Sequence, residues 1–341
     1  MRKIIINVFQ YIFFLGLGIF LIWYTTRHLT KEEVEMMKTS LMNAHYLLVI
    51  PAMILLLFAH YSRALRWKIL MEPLGFQPSN VNTFIAVMLS YFFNLLVPRL
   101  GEVMKCTILA RYEKTPVDKL IGTMVAERAC DVICLLLVIF ITIILQINIV
   151  GEFASEELRK LFLTKAGDFN VTKLIIFIGI VLLGIVLVRF IFNRYSHVGI
   201  IQKVSSIFRG IWEGLTSVRH VKRKTAFVLH TIFIWSMYLF SIRIGFYAMD
   251  AVSHLGMRAS FTILSFGSLA MIVTQGGIGA YQLAVQKTLV LYNISEVDGL
   301  AFGWLLWLVQ TLMVLGVGFL CLLILPLVNR NRKHEKRATH Q

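Results

Sequence analysis

The sequence specifies an all-α polytopic membrane protein, and three observations carry that reading. The 341 residues are 58% hydrophobic and only 15% charged, with a mean hydropathy of +0.76, which sets the chain apart from ordinary soluble domains. Apolar runs long enough to cross a hydrocarbon core of about 30 Å recur along it. Two further apolar runs are broken near their middles by charged or glycine-rich residues. The expected architecture is six spanning helices plus two oppositely directed re-entrant helical hairpins.

The first span, residues 4–24, follows Arg2 and Lys3 in the manner of a signal peptide. It lacks a small-residue cleavage site and ends on Trp23 and Tyr24, an interfacial aromatic pair, so a retained anchor is expected. Thr30 and Glu33 fit a capping box that opens a short helix with Val34, Met37 and Leu41 on one face. The second span, residues 45–62, ends beside Arg63, Arg66 and Trp67, most simply interfacial anchors.

The stretch from Val81 to Arg111 is the one around which the rest is organised. Pro98, Arg99, Gly101 and Glu102 interrupt it, so one straight helix is excluded. At 1.5 Å per residue its arms are roughly 25 Å and roughly 18 Å long, and the second falls short of a bilayer. This predicts a re-entrant hairpin over residues 81–111 with Pro98 and Gly101 as hinge and with an arginine and a glutamate at membrane depth. Irregular backbone is tolerated there only where protein buries it or a wet cavity receives it. Arg99 is read either as a hairpin cap paired with Glu102, Glu127 or carbonyls, or as a planar bidentate ligand for a lipid phosphate. Asn94, just before the tip, is placed to bond either the broken backbone or a headgroup.

In the third span, residues 119–146, Glu127, Arg128 and Asp131 lie roughly 12–18 Å along the helix, near the bilayer midplane. Each charge there costs about 2.5–3.5 kcal/mol unless paired or wet, so none should face lipid. The spacing lets the three interact along one side. Two compatible readings stand: a structural ion pair that locks this helix to the hairpin, and a polar path wall facing Arg99 and Glu102. Two more spans follow, at residues 173–192 and 225–249. Between them Ile200 to Val218 carries apolar residues at helical spacing among lysines and arginines, which fits a cytoplasmic interfacial helix on anionic lipid. Arg243, near the outer end of its helix, is read as snorkelling.

The second hairpin is expected over residues 261–292, broken at Gly276, Gly277 and Gly279, where the backbone turns and another helix comes close. No Lys-Ser/Thr pair follows these glycines, so they do not form a nucleotide phosphate loop. A last span covers residues 299–327, and residues 330–341 form a basic tail. If both hairpins enter and leave by one face, the lysines and arginines gather on one side. By the positive-inside rule that side is cytoplasmic, and both termini lie inside. Residues 1–329 then form one membrane domain, with no extramembrane stretch long enough for a catalytic domain. The four cysteines sit in apolar runs without His partners, so packing is expected of them rather than metal or disulfide chemistry. The net charge of +16 is membrane topology, not nucleic-acid binding. No cofactor or metal is expected.

In order, Arg63-Ala64-Leu65-Arg66-Trp67, the run Asn94 to Glu102 with its Pro98-Arg99-Leu100-Gly101-Glu102 end, Glu127-Arg128-Ala129-Cys130-Asp131, and Gly276-Gly277-Ile278-Gly279 resemble the transmembrane family of lysylphosphatidylglycerol synthases. This flippase-like integral membrane domain also occurs alone, and the likeness spans nearly the whole chain. The resemblance implies movement of a lipid with a polar headgroup between leaflets. The full-length synthases add a soluble aminoacyl transferase domain that has no counterpart here, so a transporter is expected rather than an enzyme. A proline is common in the family where Gln275 stands, and an acidic residue where Gln282 stands.

The leading expectation is therefore a lipid flippase or flippase-like transporter in a bacterial-type cytoplasmic membrane. Its path would be lined by Asn94, Arg99, Glu102, Glu127, Arg128 and Asp131. The cargo would be an anionic or modified phospholipid, an aminoacylated lipid, or a lipid-linked sugar on a polyisoprenoid. The alternatives are a phosphatidylglycerol lysyltransferase-type enzyme, and a non-transporting membrane subunit that serves a neighbouring enzyme of a lipid or glycan pathway.

Overall fold

The computed structural model describes residues 16–27, 29–97, 100–146 and 221–338. The expected span at 173–192, the interfacial helix at 200–218, and Pro98 and Arg99 lie outside the described residues. Within them the chain is helical and contains no strand. Among the described residues four helices are long and apolar enough to cross a bilayer: Tyr46–Leu74, Val117–Leu145, Lys224–Phe246 and Glu296–Arg330. They coincide with four of the expected spans.

Helix α1, Gly16–Thr26, ends in Trp23 and Tyr24, and the Arg27 guanidinium lies 4.9 Å from each ring centroid. That cation–aromatic cluster suits a membrane–water boundary. Helix α2, Lys31–Met42, opens with the expected capping box, in which the Thr30 side chain accepts from the Glu33 N–H and the Glu33 carboxylate accepts from the Thr30 N–H. Met37 and Leu41 pack on the core, while Val34 is exposed.

Helix α3, Val49–Met71, runs well past the expected end at residue 62. The reason is that Arg63 and Arg66 are buried rather than interfacial: their charges are met inside the protein, so the helix need not end in headgroups. The first broken run forms α4, Asn80–Leu96, and α5, Leu100–Glu113. Ser79 caps α4 by accepting from the Asn82 N–H at 3.1 Å. Helix α5 folds back so closely that a Cβ on Gly101 would meet the Ser90 carbonyl oxygen at 1.8 Å. Helix α6, Val117–Leu145, begins directly after Pro116. Helix α7, Lys224–Phe246, packs along α3, and its Ser241 hydroxyl donates to the Ala52 carbonyl at 3.2 Å.

The second broken run gives α8, Met257–Val273, a tight turn at Gln275–Gly277, and α9, Ala280–Val290. Helix α10, Glu296–Ala338, follows. Two apolar clusters form the interior, one chiefly among α4, α7, α8, α9 and α10, the other among α3, α4, α5 and α6. The outer faces are also apolar: Leu136, Leu137 and Phe140 on α6 and Leu312, Phe319, Leu323 and Leu327 on α10 are exposed. A soluble protein would turn charge outward there, whereas a lipid-facing helix must not. The chain is a multi-pass integral membrane protein.

Candidate functional site

Ionisable side chains converge inside the bundle, at the meeting of α3, α5 and α6. On α3, Arg63 and Arg66 share a face by their i, i+3 spacing; on α6, Glu127 and Asp131 do so by i, i+4. Glu127 is completely buried, and its carboxylate accepts from Lys105 Nζ at 2.6 Å and from Arg63 Nη1 at 3.1 Å, with Arg66 Nη2 at 3.7 Å. Asp131 pairs with Arg63 Nη1 and accepts from Arg66 Nη2 at 2.6 Å. The Arg66 side chain is wholly enclosed, 3.3 Å from the Thr231 hydroxyl of α7. Lys105 lies 4.0 Å above the Trp67 ring, and the Trp67 indole N–H donates to Thr123 at 3.0 Å. Buried charges are tolerable only when paired and hydrogen-bonded in this way.

Glu127 is thus the hub of a lock joining α3, α5 and α6. Its partners among the described residues are Arg63, Arg66 and Lys105, while Arg99 lies outside the described residues. Lys105 was missed, although a single lysine between Met104 and Cys106 inside a short apolar arm is itself a sign of burial with a partner.

Beside the lock lie two adjoining cavities. The first, about 400 Å³, is mainly apolar; Leu56, His60, Arg63, Asp131, Tyr238 and Ile263 are among the residues around it. The second, about 430 Å³, is more polar, with Asn94, Glu102, Thr274, Gln275, Gly276 and Thr311 in its wall. Tyr91, Arg128, Met271, Ile272 and Gln310 line both. Arg128 therefore stands at the junction, over a third of its side chain open, 3.6 Å from the Glu102 carboxylate. Glu127 lines neither cavity.

The polar cavity is bounded by both helix breaks. At the first, the Asn94 side-chain oxygen accepts from the Gly101 N–H at 2.8 Å. Of the two roles open to Asn94 in the sequence, it takes that of satisfying broken backbone. At the second, Gly276, Gly277 and Gly279 have φ of +59°, +75° and +76°, the left-handed region that glycine enters without strain. There the Trp307 indole N–H donates to the Gly276 carbonyl at 2.7 Å, and the Gln275 amide donates to the Asn94 carbonyl. That carbonyl, in the last turn of α4, is without an intrahelical donor. The two breaks are therefore bonded to each other. Gly101, expected at the hinge, lies in the first turn of α5, pressed on α4.

Among the described residues four cations, Arg63, Arg66, Lys105 and Arg128, face three carboxylates, Glu102, Glu127 and Asp131. No three His, Cys, Asp or Glu side chains among the described residues gather as a metal site would need. Fold and site define a multi-pass helical membrane protein with a charged, partly open centre between two broken helix pairs. The model of the lysylphosphatidylglycerol synthase TM region matches residues 10–329, and the chain belongs to that family. It is also similar to a UPF0104 membrane protein of Methanocaldococcus jannaschii, 23% identical over 297 residues that cover 84% of this chain and 87% of that one. No solved structure matches the chain.

Proposed function

We propose that this protein translocates a lipid with a polar headgroup between the leaflets of a cytoplasmic membrane, and that it does so without enzymatic activity of its own. The observation that carries the reading is the pair of adjoining cavities, one apolar and one polar, meeting at Arg128 between the two bonded helix breaks. An apolar chamber beside a polar one suits a molecule that is half chain and half headgroup. Residues 1–329 act as one flippase-like domain of six spans and two oppositely directed re-entrant hairpins, 81–111 and 261–292. Both termini and the basic tail at 330–341 face the cytoplasm, since the distribution of Lys and Arg favours that orientation.

The headgroup path is formed by Asn94, Arg99, Glu102, Arg128 and Asp131, with Glu127 holding its wall from behind. Broken helices in corresponding places are where transporters of inverted architecture bind cargo, and their rearrangement exposes the site to one leaflet and then the other. The cargo is a phospholipid, an aminoacylated lipid or a lipid-linked sugar.

The test is leaflet exchange of headgroup-labelled lipids in liposomes carrying the purified protein, comparing wild type with Arg128→Ala and Arg99→Ala. Exchange by wild type that falls about tenfold or more in variants with wild-type thermal stability is the expected result, since a charge-assisted contact is worth about 1.5–3 kcal/mol. Variants exchanging at the wild-type rate would refute the path. Lysine transferred from charged tRNA to lipid by the purified chain would replace transport with enzymology.

A further inference from the structure

The apolar cavity contains a polar group with nothing to bond. His60 is 3% exposed, and neither ring nitrogen has a hydrogen-bond partner among the described residues. Buried histidines ordinarily give or take at least one such bond, which fixes their tautomer. Here the ring is held by packing alone: its centroid is 4.4 Å from that of Tyr91 on α4 and 6.3 Å from that of Tyr238 on α7. The imidazole is thus oriented and uncommitted. With Leu56 and Arg63 it forms the strip of α3 that faces the cavity, in keeping with helical spacing.

The same cavity receives Arg128, whose Nε is buried without a hydrogen bond, its nearest carboxylate Glu102 at 3.6 Å, and Arg63, whose Nε is likewise without one although its Nη1 meets both Glu127 and Asp131 and its Nη2 donates to the Tyr238 hydroxyl. Donors left open in an apolar chamber, with Arg63 and Arg128 facing one carboxylate, Asp131, among its described lining residues, are matched by a compact anion with several acceptor oxygens. The uncharged oxygens of a sugar headgroup would meet them with weaker hydrogen bonds than an anion's.

We propose that His60 is a ligand-binding residue, and that together with Arg128 it receives a phosphate-ester anion whose chain occupies the apolar cavity. The imidazole supplies one N–H to a phosphate oxygen and Arg128 supplies another at the junction, so the phosphate lies between the chambers with its substituent in the polar one. The lipid half of this assignment rests on the translocation reading, while the phosphate half does not.

The test measures equilibrium binding to the purified full chain in detergent, using radiolabelled phosphatidylglycerol and, as a phosphate-free probe, radiolabelled diglucosyldiacylglycerol. Wild type should prefer phosphatidylglycerol by about tenfold or more. His60→Leu should lose most of that preference while its thermal midpoint stays equal or rises, because leucine replaces a ring that makes no hydrogen bond. His60→Gln, which restores an N–H donor, should keep more of the preference than His60→Leu, and His60→Phe, which offers no donor, takes the place of the leucine variant if that one does not fold. Equal binding of the two lipids by wild type, or unchanged preference in both variants, would overturn the proposal. Displacement of phosphatidylglycerol by equimolar free glycerol phosphate would assign the site to a soluble ester and overturn its lipid half. A protein that binds through His60 yet exchanges no lipid fails as a translocator and retains this site; one that exchanges lipid with no dependence on His60 does the reverse.

Discussion

Replacing Glu127 with glutamine removes one charge from the centre of the lock and changes the volume hardly at all. The carboxylate has cations at 2.6, 3.1 and 3.7 Å, each worth about 4–6 kcal/mol of gross Coulomb attraction at an effective dielectric near 20. Desolvation of all the partners offsets most of this. Removing one member of a buried pair leaves the others uncompensated, and the usual net loss is about 3–5 kcal/mol. The folded-to-unfolded ratio should therefore fall by roughly 10²–10⁴. Asp131 remains to hold Arg63 and Arg66, but Lys105 has no second carboxylate within salt-bridge distance among the described residues. The damage should thus centre on the α5–α6 contact. Equilibrium unfolding of the purified protein in mixed detergent measures the loss, and a double-mutant cycle with Lys105→Met locates it. The two single losses should exceed the loss in the double variant, with a coupling of about 1–3 kcal/mol, because the second substitution removes the cation that the first stranded. A Glu127→Gln loss below about 1 kcal/mol, or strict additivity with Lys105→Met, would refute the lock.

Two further substitutions test the frame around it. Gly101→Ala places a Cβ 1.8 Å from the Ser90 backbone oxygen, and backbone cannot turn aside as a side chain can. The α4–α5 pair must part, at a cost of about 1–3 kcal/mol, and the lowered unfolding midpoint should fall further with valine. Asn82 and Asn329 exchange amide hydrogen bonds at 2.9 Å inside the bundle, tying α4 to α10 just beyond Pro326. Either change to alanine should cost about 1–3 kcal/mol by leaving the other amide's oxygen without its donor, although each NH2 keeps a second partner, Glu113 or the Leu325 carbonyl, and the double change distinctly less than the sum; unfolding midpoints of the three variants decide it.

Much of this was legible before any coordinates. The breaks at Gly101 and at Gly276, Gly277 and Gly279 announce themselves, because charge or glycine inside an apolar run has few physical explanations. The capping box at Thr30 and Glu33 is local chemistry and needs no tertiary context. What sequence did not convey was who faces whom. Arg63 and Arg66 read as anchors because the apolar run stops at Ser62, and only the facing α6 carboxylates show them to be interior. Lys105 drew no attention as one lysine in a short arm, and His60, flanked by Ala59 and Tyr61, belongs to no motif that would single it out. Pairing across helices is set by packing, and one sequence carries periodicity but no register between segments.

The bond from Gln275 to the Asn94 carbonyl has an implication for water. Each helix break leaves carbonyls that the bilayer cannot hydrate, and here one break supplies the donor that the other lacks. The reach of a single glutamine side chain therefore sets how near the two tips stand, and with it the width of the opening between them. A chain with proline at this position has no such donor. Its α4 would have to end against water or another donor, and the two tips would lose the bond that ties them together here.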